Sequence, residues 1–195
     1  MIIVSLFVNN CRALLAVLFA LWIFLVPKSE TIIASVFVVA FVDTVLYWRS
    51  EKNKKFISLL PVPIIVVAST LVFGCIAIIF GAPLLSDIEN TLLFGLLLSA
   101  LAVYPTALTS GGSVTKIVDS FVDFVGESPR QQQQLSAAAG ALVGAWLGAF
   151  VIPLDWDRPW QVWPVPCCAG AQLGSAVGRL AASRICPAAA DCKLE

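Results

Sequence analysis

The chain has 195 residues, of which 59% are hydrophobic and only 12% charged, with a formal net charge of +0. Soluble domains carry roughly a quarter charged residues, so there is too little polar surface here to coat a globule in water, and a mean hydropathy of +0.94 points to lipid as the solvent. Balanced charge offers no field to recruit nucleic acid, and the absence of histidine removes the commonest metal ligand and the usual general base near neutral pH.

The apolar runs predict an all-α, polytopic membrane protein: one integral domain over residues 1–195, a six-transmembrane-helix bundle. Lipid-exposed backbone must satisfy its own hydrogen bonds, and the alternating strands of a barrel are not seen. The first span, about 4–26, is interrupted by Asn9, Asn10 and Arg12 and lacks a small-residue cleavage site, so it reads as a retained membrane segment rather than a signal peptide. The second, about 32–48, stops at the Arg49–Lys55 run and contains Asp43, the one acidic residue inside a span. An ionisable group at that depth is a functional candidate by default; pairing with Arg12 or Arg49, or snorkelling, is the plainer explanation.

The third span, about 59–80, ends at Gly81-Ala82-Pro83. Its loop leads to Asp87 and Glu89 at the first turn of the fourth span, about 92–108, where carboxylates complement the helix dipole and cap free N–H groups. Residues 109–134 form the longest and most polar connection, expected as a mobile cytosolic loop with an amphipathic stretch at Ile117–Val125 suited to a membrane surface. The last two spans, about 135–152 and 162–182, each carry small residues every four positions: Ser136, Gly140, Gly144 and Gly148 in one, Gly170, Gly174 and Gly178 in the other. Such faces let helices approach closely in lipid. The two ladders are expected either to pack on each other as a hairpin or to present a groove to another protein's helix.

Between them runs Asp155, Trp156, Asp157, Arg158, Pro159 and Trp160, followed by Trp163. Tryptophans suit the headgroup level. The charged trio adds a possible recognition site, whereas two carboxylates without further oxygen ligands make a poor metal site. Grouping the N-terminus, the second and fourth loops and the C-terminal tail on one side gathers ten of the twelve Lys and Arg residues there, leaving Lys28 and Arg158 opposite. The positive-inside rule then makes both termini cytosolic and puts Gly81–Glu89 and the Trp-rich turn together on the far side. Hence Gly81, Pro83 and Glu89 join Asp155–Trp160 as candidate lumenal loop residues. The six cysteines, without C-x-x-C spacing, read as small buried hydrophobes. No P-loop, nucleophile elbow or zinc motif is present, nor the DG-x-x-AR signature of CDP-alcohol phosphotransferases, so no independent active site, cofactor or metal is expected.

Three blocks carry a resemblance to a known family: Phe80-Gly81-Ala82-Pro83-Leu84-Leu85 with Glu89, Thr91, Phe94 and Leu97-Leu98-Ser99; Gly144-Ala145-Trp146-Leu147-Gly148-Ala149 with Ile152 through Pro164; and Gly170-Ala171, Gly174 and Gly178. In these the chain resembles the PIG-F family of GPI-anchor biosynthesis; the helices up to about Phe73 share only hydropathy and order with it. The resemblance implies a multi-pass endoplasmic-reticulum protein that stabilises ethanolamine phosphate transferases as a non-catalytic subunit. It implies PIG-O type and PIG-G type catalytic chains as partners, alongside membrane lipids, and carries over no catalytic residues. A second reading of the residues, in which Asp43 and a groove between helices bind or deliver phosphatidylethanolamine or the GPI precursor, stands beside it.

Overall fold

The computed structural model of the protein describes residues 2–26, 28–50, 59–83, 85–154 and 156–185. Among these residues every regular element is helical and there is no strand. Helix α1 covers Ile2–Leu25, α2 Ser29–Ser50 and α3 Val62–Ile79. Then α4 (Ile88–Leu98), a π-turn (Ser99–Val103) and α5 (Tyr104–Thr109) follow one another as a continuous rod. Helix α6 covers Val114–Asp123, α7 Pro129–Ala149 and α8 Val165–Ile185.

Local chemistry sets these boundaries. Thr31 closes the start of α2 by donating its hydroxyl to the Lys28 and Val26 carbonyls at 2.6 and 3.1 Å. Pro63 stands in the first turn of α3, where a missing N–H costs nothing. Pro105 does not end the helix: the rod runs through it to Thr109. A proline ring clashes with the carbonyl four residues back, and the π-turn directly before it widens the helix where that carbonyl, on Leu101, lies.

Among the described residues three helices are long and apolar enough to cross a membrane: Ser29–Arg49, Val62–Ile79 and Ile88–Thr109. Helices α7 and α8, at 21 residues each, have the length, roughly 31 Å at 1.5 Å per residue. Their glycines, alanines and glutamines give them a weaker apolar character than the other three.

The α4–α5 rod is the centre of the molecule, with 72% of its apolar window buried. Its Leu97, Leu98 and Leu101 meet Ile23 of α1, Ile32 of α2 and Cys167, Cys168 and Ala171 of α8 in one core. Helix α3 lies against the rod on the outside, where Ser69 bonds Ser99 hydroxyl to hydroxyl at 2.5 Å. Gly95 permits that approach: a Cβ there would stand 2.6 Å from the Thr70 carbonyl.

The segment expected as a loop over 109–134 is largely structured. It holds α6 and the first six residues of α7. Ser128 caps α7 by accepting from the Gln131 N–H at 3.2 Å, with Pro129 at the first helical position. The glutamines that read as loop polarity bind backbone instead: Gln131 Oε1 and Gln132 Oε1 accept from the amides of Glu127 (3.0 Å) and Gly126 (2.8 Å). Ile117 on the inner side of α6 packs with Ala107 and Leu108, leaving Val114, Val118 and Val122 exposed in a row.

Candidate functional site

Helices α7 and α8 are antiparallel, and their ladders meet rung by rung. A Cβ on Gly140 would strike the Gly174 carbonyl, one on Gly144 the Gly170 carbonyl, one on Gly148 the Pro166 carbonyl, and one on Gly178 the Ser136 carbonyl. The reverse holds for Gly170 against Gly144 and Gly174 against Gly140. Each step of four residues up α7 thus matches a step of four down α8. All six approaches are well inside the 3.0 Å that real Cβ atoms keep. The backbones therefore touch directly, with Ala137, Ala138 and Ala141 fully buried beside the seam. The glycine faces are used up within the chain. What the hairpin turns outward is different: Leu142, Trp146 and Leu147 on α7 with Phe150 at its C-cap, and Leu173, Val177 and Leu180 on α8.

The turn joining these helices anchors the hairpin to the rest of the bundle. Trp163 donates its indole N–H to the Thr91 hydroxyl at 3.1 Å and sets its ring edge-on to Phe94 at 5.2 Å, tying the turn to α4. The Thr91 hydroxyl in turn points at the carbonyls of Pro83 and Asp87 (3.3 and 3.2 Å). Trp160 stacks on Phe24 of α1 at 4.4 Å, and Trp156 meets Trp160 at 6.1 Å. Gln161 closes the turn, its amide donating to the carbonyls of Val151 (2.7 Å) and Leu154. Trp156, Asp157, Arg158 and Pro159 are exposed, and Asp157 takes a left-handed conformation (φ 48°) as the chain reverses. Asp155 lies outside the described residues.

The Gly81–Glu89 loop shares this end. Gly81 turns the chain with φ 100°, a conformation that favours glycine, and Glu89 is exposed in the first turn of α4. Asp87 occupies the N-cap position, but its side chain makes no capping bond; it accepts from the Asn90 amide at 2.7 Å. Capping by Asp87 was the expectation, and Asn90 outcompetes the backbone for the carboxylate.

At the opposite end of the helices Asp43, buried in α2, pairs with Arg12 of α1. Arg179 of α8 lies beside them, equally buried. Arg130 of α7 lines an adjoining cavity with Arg12 and Asp43, and donates to the Leu46 carbonyl at 3.3 Å. The sequence reading anticipated the Arg12 pairing as one option but counted Arg179 with the tail; its place inside an apolar run was the signal available. Thr91 stands in the resemblance blocks without an assigned role, and Trp163, expected as a headgroup-level anchor, gives its indole N–H to Thr91. No cluster of three or more His, Cys, Asp or Glu residues occurs among the described residues.

The sequence matches the GPI biosynthesis protein family Pig-F over residues 2–183. The chain belongs to this family. A relative from Mus musculus, named GPI ethanolamine phosphate transferase, stabilizing subunit, is 32% identical over 178 residues, covering 89% of this chain and 78% of its own. The Homo sapiens protein of the same name is 36% identical, with 67% of this chain and 59% of its own covered. Glycosylphosphatidylinositol anchor biosynthesis protein 11 of Yarrowia lipolytica is 41% identical over 57% of this chain, a match that spans about half of that relative (48%). The mouse and human names describe a stabilizing subunit of a transferase rather than its catalytic chain. No solved structure shows a significant match.

Proposed function

We propose that this Pig-F family member is the non-catalytic, stabilising membrane subunit of a GPI ethanolamine phosphate transferase, serving PIG-O type and PIG-G type catalytic chains in the endoplasmic reticulum. In this reading it spans the membrane six times with both termini in the cytosol, and the Trp156–Trp160 turn and the Gly81–Glu89 loop face the lumen. The observation that carries the proposal is the family match over residues 2–183 together with the stabilizing-subunit name of relatives that align along most of the chain. Those names favour a subunit over a protein that delivers lipid on its own.

The geometry supports a division of labour. Zipped glycine faces make α7 and α8 one rigid ridge, so the surface offered to a partner is the outward row Leu142, Trp146, Leu147 and Phe150. Trp146 and Phe150 already contact each other edge to face at 4.6 Å, which presents two aromatics as one preorganised knob. At the lumenal end, Asp157 and Arg158 stand exposed on a turn braced by Trp160 and Trp163, suited to meet a partner's polar surface. Co-purification tests this: W146A/F150A leaves the chain's own abundance unchanged and lowers the recovered catalytic chain severalfold. Unchanged recovery removes the proposed face, and a catalytic chain equally abundant in cells lacking this protein overturns the stabilising role.

A further inference from the structure

The buried charges at the Arg12 end do not balance. Among the residues lining the groove between α1, α2 and α8, two guanidinium groups, Arg12 (9% exposed) and Arg179 (5% exposed), face one carboxylate, Asp43. Asp43 is paired with Arg12, and Arg179 makes no ion pair or hydrogen bond with any described residue. Ser175, one turn from Arg179 on the same face of α8, also lines the groove; it is fully buried and its hydroxyl is unpartnered. A guanidinium and a hydroxyl left without partners in a low-dielectric interior carry a desolvation penalty that an anion would offset.

The remaining walls say what kind of anion. From the charged end the groove runs past Leu15, Phe19, Val38, Val39 and Leu101. Arg12 to Phe19 is seven residues, so this apolar strip extends for about 10 Å along α1. A free inorganic anion would use the arginine end and leave the strip unused. An amphiphile with phosphate at one end and hydrocarbon at the other matches both, and guanidinium is the group best shaped to hold a phosphate. We propose that this groove holds a resident phosphate-bearing lipid, its phosphate on Arg179, Arg12 and Ser175 and an acyl chain along Phe19 and Val38–Val39. The proposal needs only that the chain is embedded in a membrane, and is independent of which catalytic chain it serves.

The test uses the full chain, purified in detergent and stripped of lipid, with dioleoyl phosphatidic acid, dioleoyl glycerol and inorganic phosphate as probes. The two lipids differ only in the phosphate. Phosphatidic acid is retained as a one-to-one adduct in native mass spectrometry and raises the melting temperature, while dioleoyl glycerol is retained at least tenfold less. Arg179→Gln lowers phosphatidic acid retention at least tenfold, and Arg184→Gln, an exposed arginine on the same helix, does not. Equal retention of the two lipids, or undiminished retention by R179Q, overturns the proposal. A melting shift with inorganic phosphate as large as that with phosphatidic acid overturns the lipid assignment. Where R179Q does not fold, Ser175→Ala removes only an unpartnered hydroxyl and lowers retention severalfold; retention unchanged in S175A overturns the proposal as well.

Discussion

Helix α3 and the α7–α8 hairpin relate hydropathy to burial in opposite ways. Val62–Ile79 has the highest mean hydropathy of the candidate spans, 2.7, yet only 17% of it is buried. Helices α7 and α8 fall short of span-like hydropathy, yet their backbones touch along four rungs. In water, apolar character marks what is inside. In lipid the solvent is as apolar as leucine, so bulk apolar side chains face outward and small residues mark where protein meets protein. Hydropathy and burial therefore part company here, and the least hydropathic helices are the most tightly joined.

The largest expected effect lies in the seam. In Gly144→Leu the new side chain has to displace the Gly170 carbonyl, and that is backbone, which cannot yield as a side chain would. The expected loss is about 4 kcal/mol or more, seen as disappearance of the folded chain and of its partner from membranes. Gly174→Leu, from the other side of the same seam, behaves alike. A Gly144→Leu chain that melts like the wild type would dissolve the contrast between hairpin and α3.

Next comes Asp43. Removing it as Asp43→Ala leaves Arg12 and Arg179 buried together without a counter-charge, and about 3 kcal/mol is lost. Adding Arg12→Met to that variant restores part of the loss, because the worse state is the unpaired cation rather than the missing pair. Thermal melting of the two variants in detergent distinguishes them. If D43A/R12M melts below D43A, the pair does not act as a charge-balanced unit.

At the turn, Thr91→Val takes away the acceptor of the Trp163 indole and costs about 1–2 kcal/mol. In a Trp163→Phe background the same change costs much less, since no N–H is left stranded. A double-mutant cycle with no coupling would mean the turn is held by ring packing on Phe94 alone.

These effects follow how much each region could be read from the sequence. Four-residue spacing is a property of the chain itself, so the ladders and the helical class were legible. Register was not, because placing Gly144 on Gly170 depends on where the turn ends each helix, and the turn is fixed by Trp163 reaching Thr91, 72 positions away. The long polar segment misled for a related reason: glutamines signal solvent by composition, and only the fold shows that Gln131 and Gln132 satisfy the backbone of the residues before them. Arg179 was hidden by its neighbours. Counted with Arg184 and Lys193 it looks like part of a basic tail, while helical periodicity turns it inward with Ser175.

The smallest expected effect sharpens the comparison most. Leu71 and Val67 are large, exposed and central in α3, so Leu71→Ala and Val67→Ala change the melting of the isolated chain by no more than about 0.5 kcal/mol. The same truncations in a water-soluble core would cost several times that. Two surroundings account for such exposure: lipid, which repacks around a shorter side chain, and a partner's helix, which does not. Measuring the catalytic chain's recovery alongside the melting separates them. If L71A lowers recovery as W146A/F150A does, α3 is a second docking face and its hydropathy was a poor guide to lipid contact. If recovery is unchanged, α3 is the lipid-facing wall of the bundle and docking is confined to the hairpin side, where small residues make the ridge rigid and large ones make it sticky.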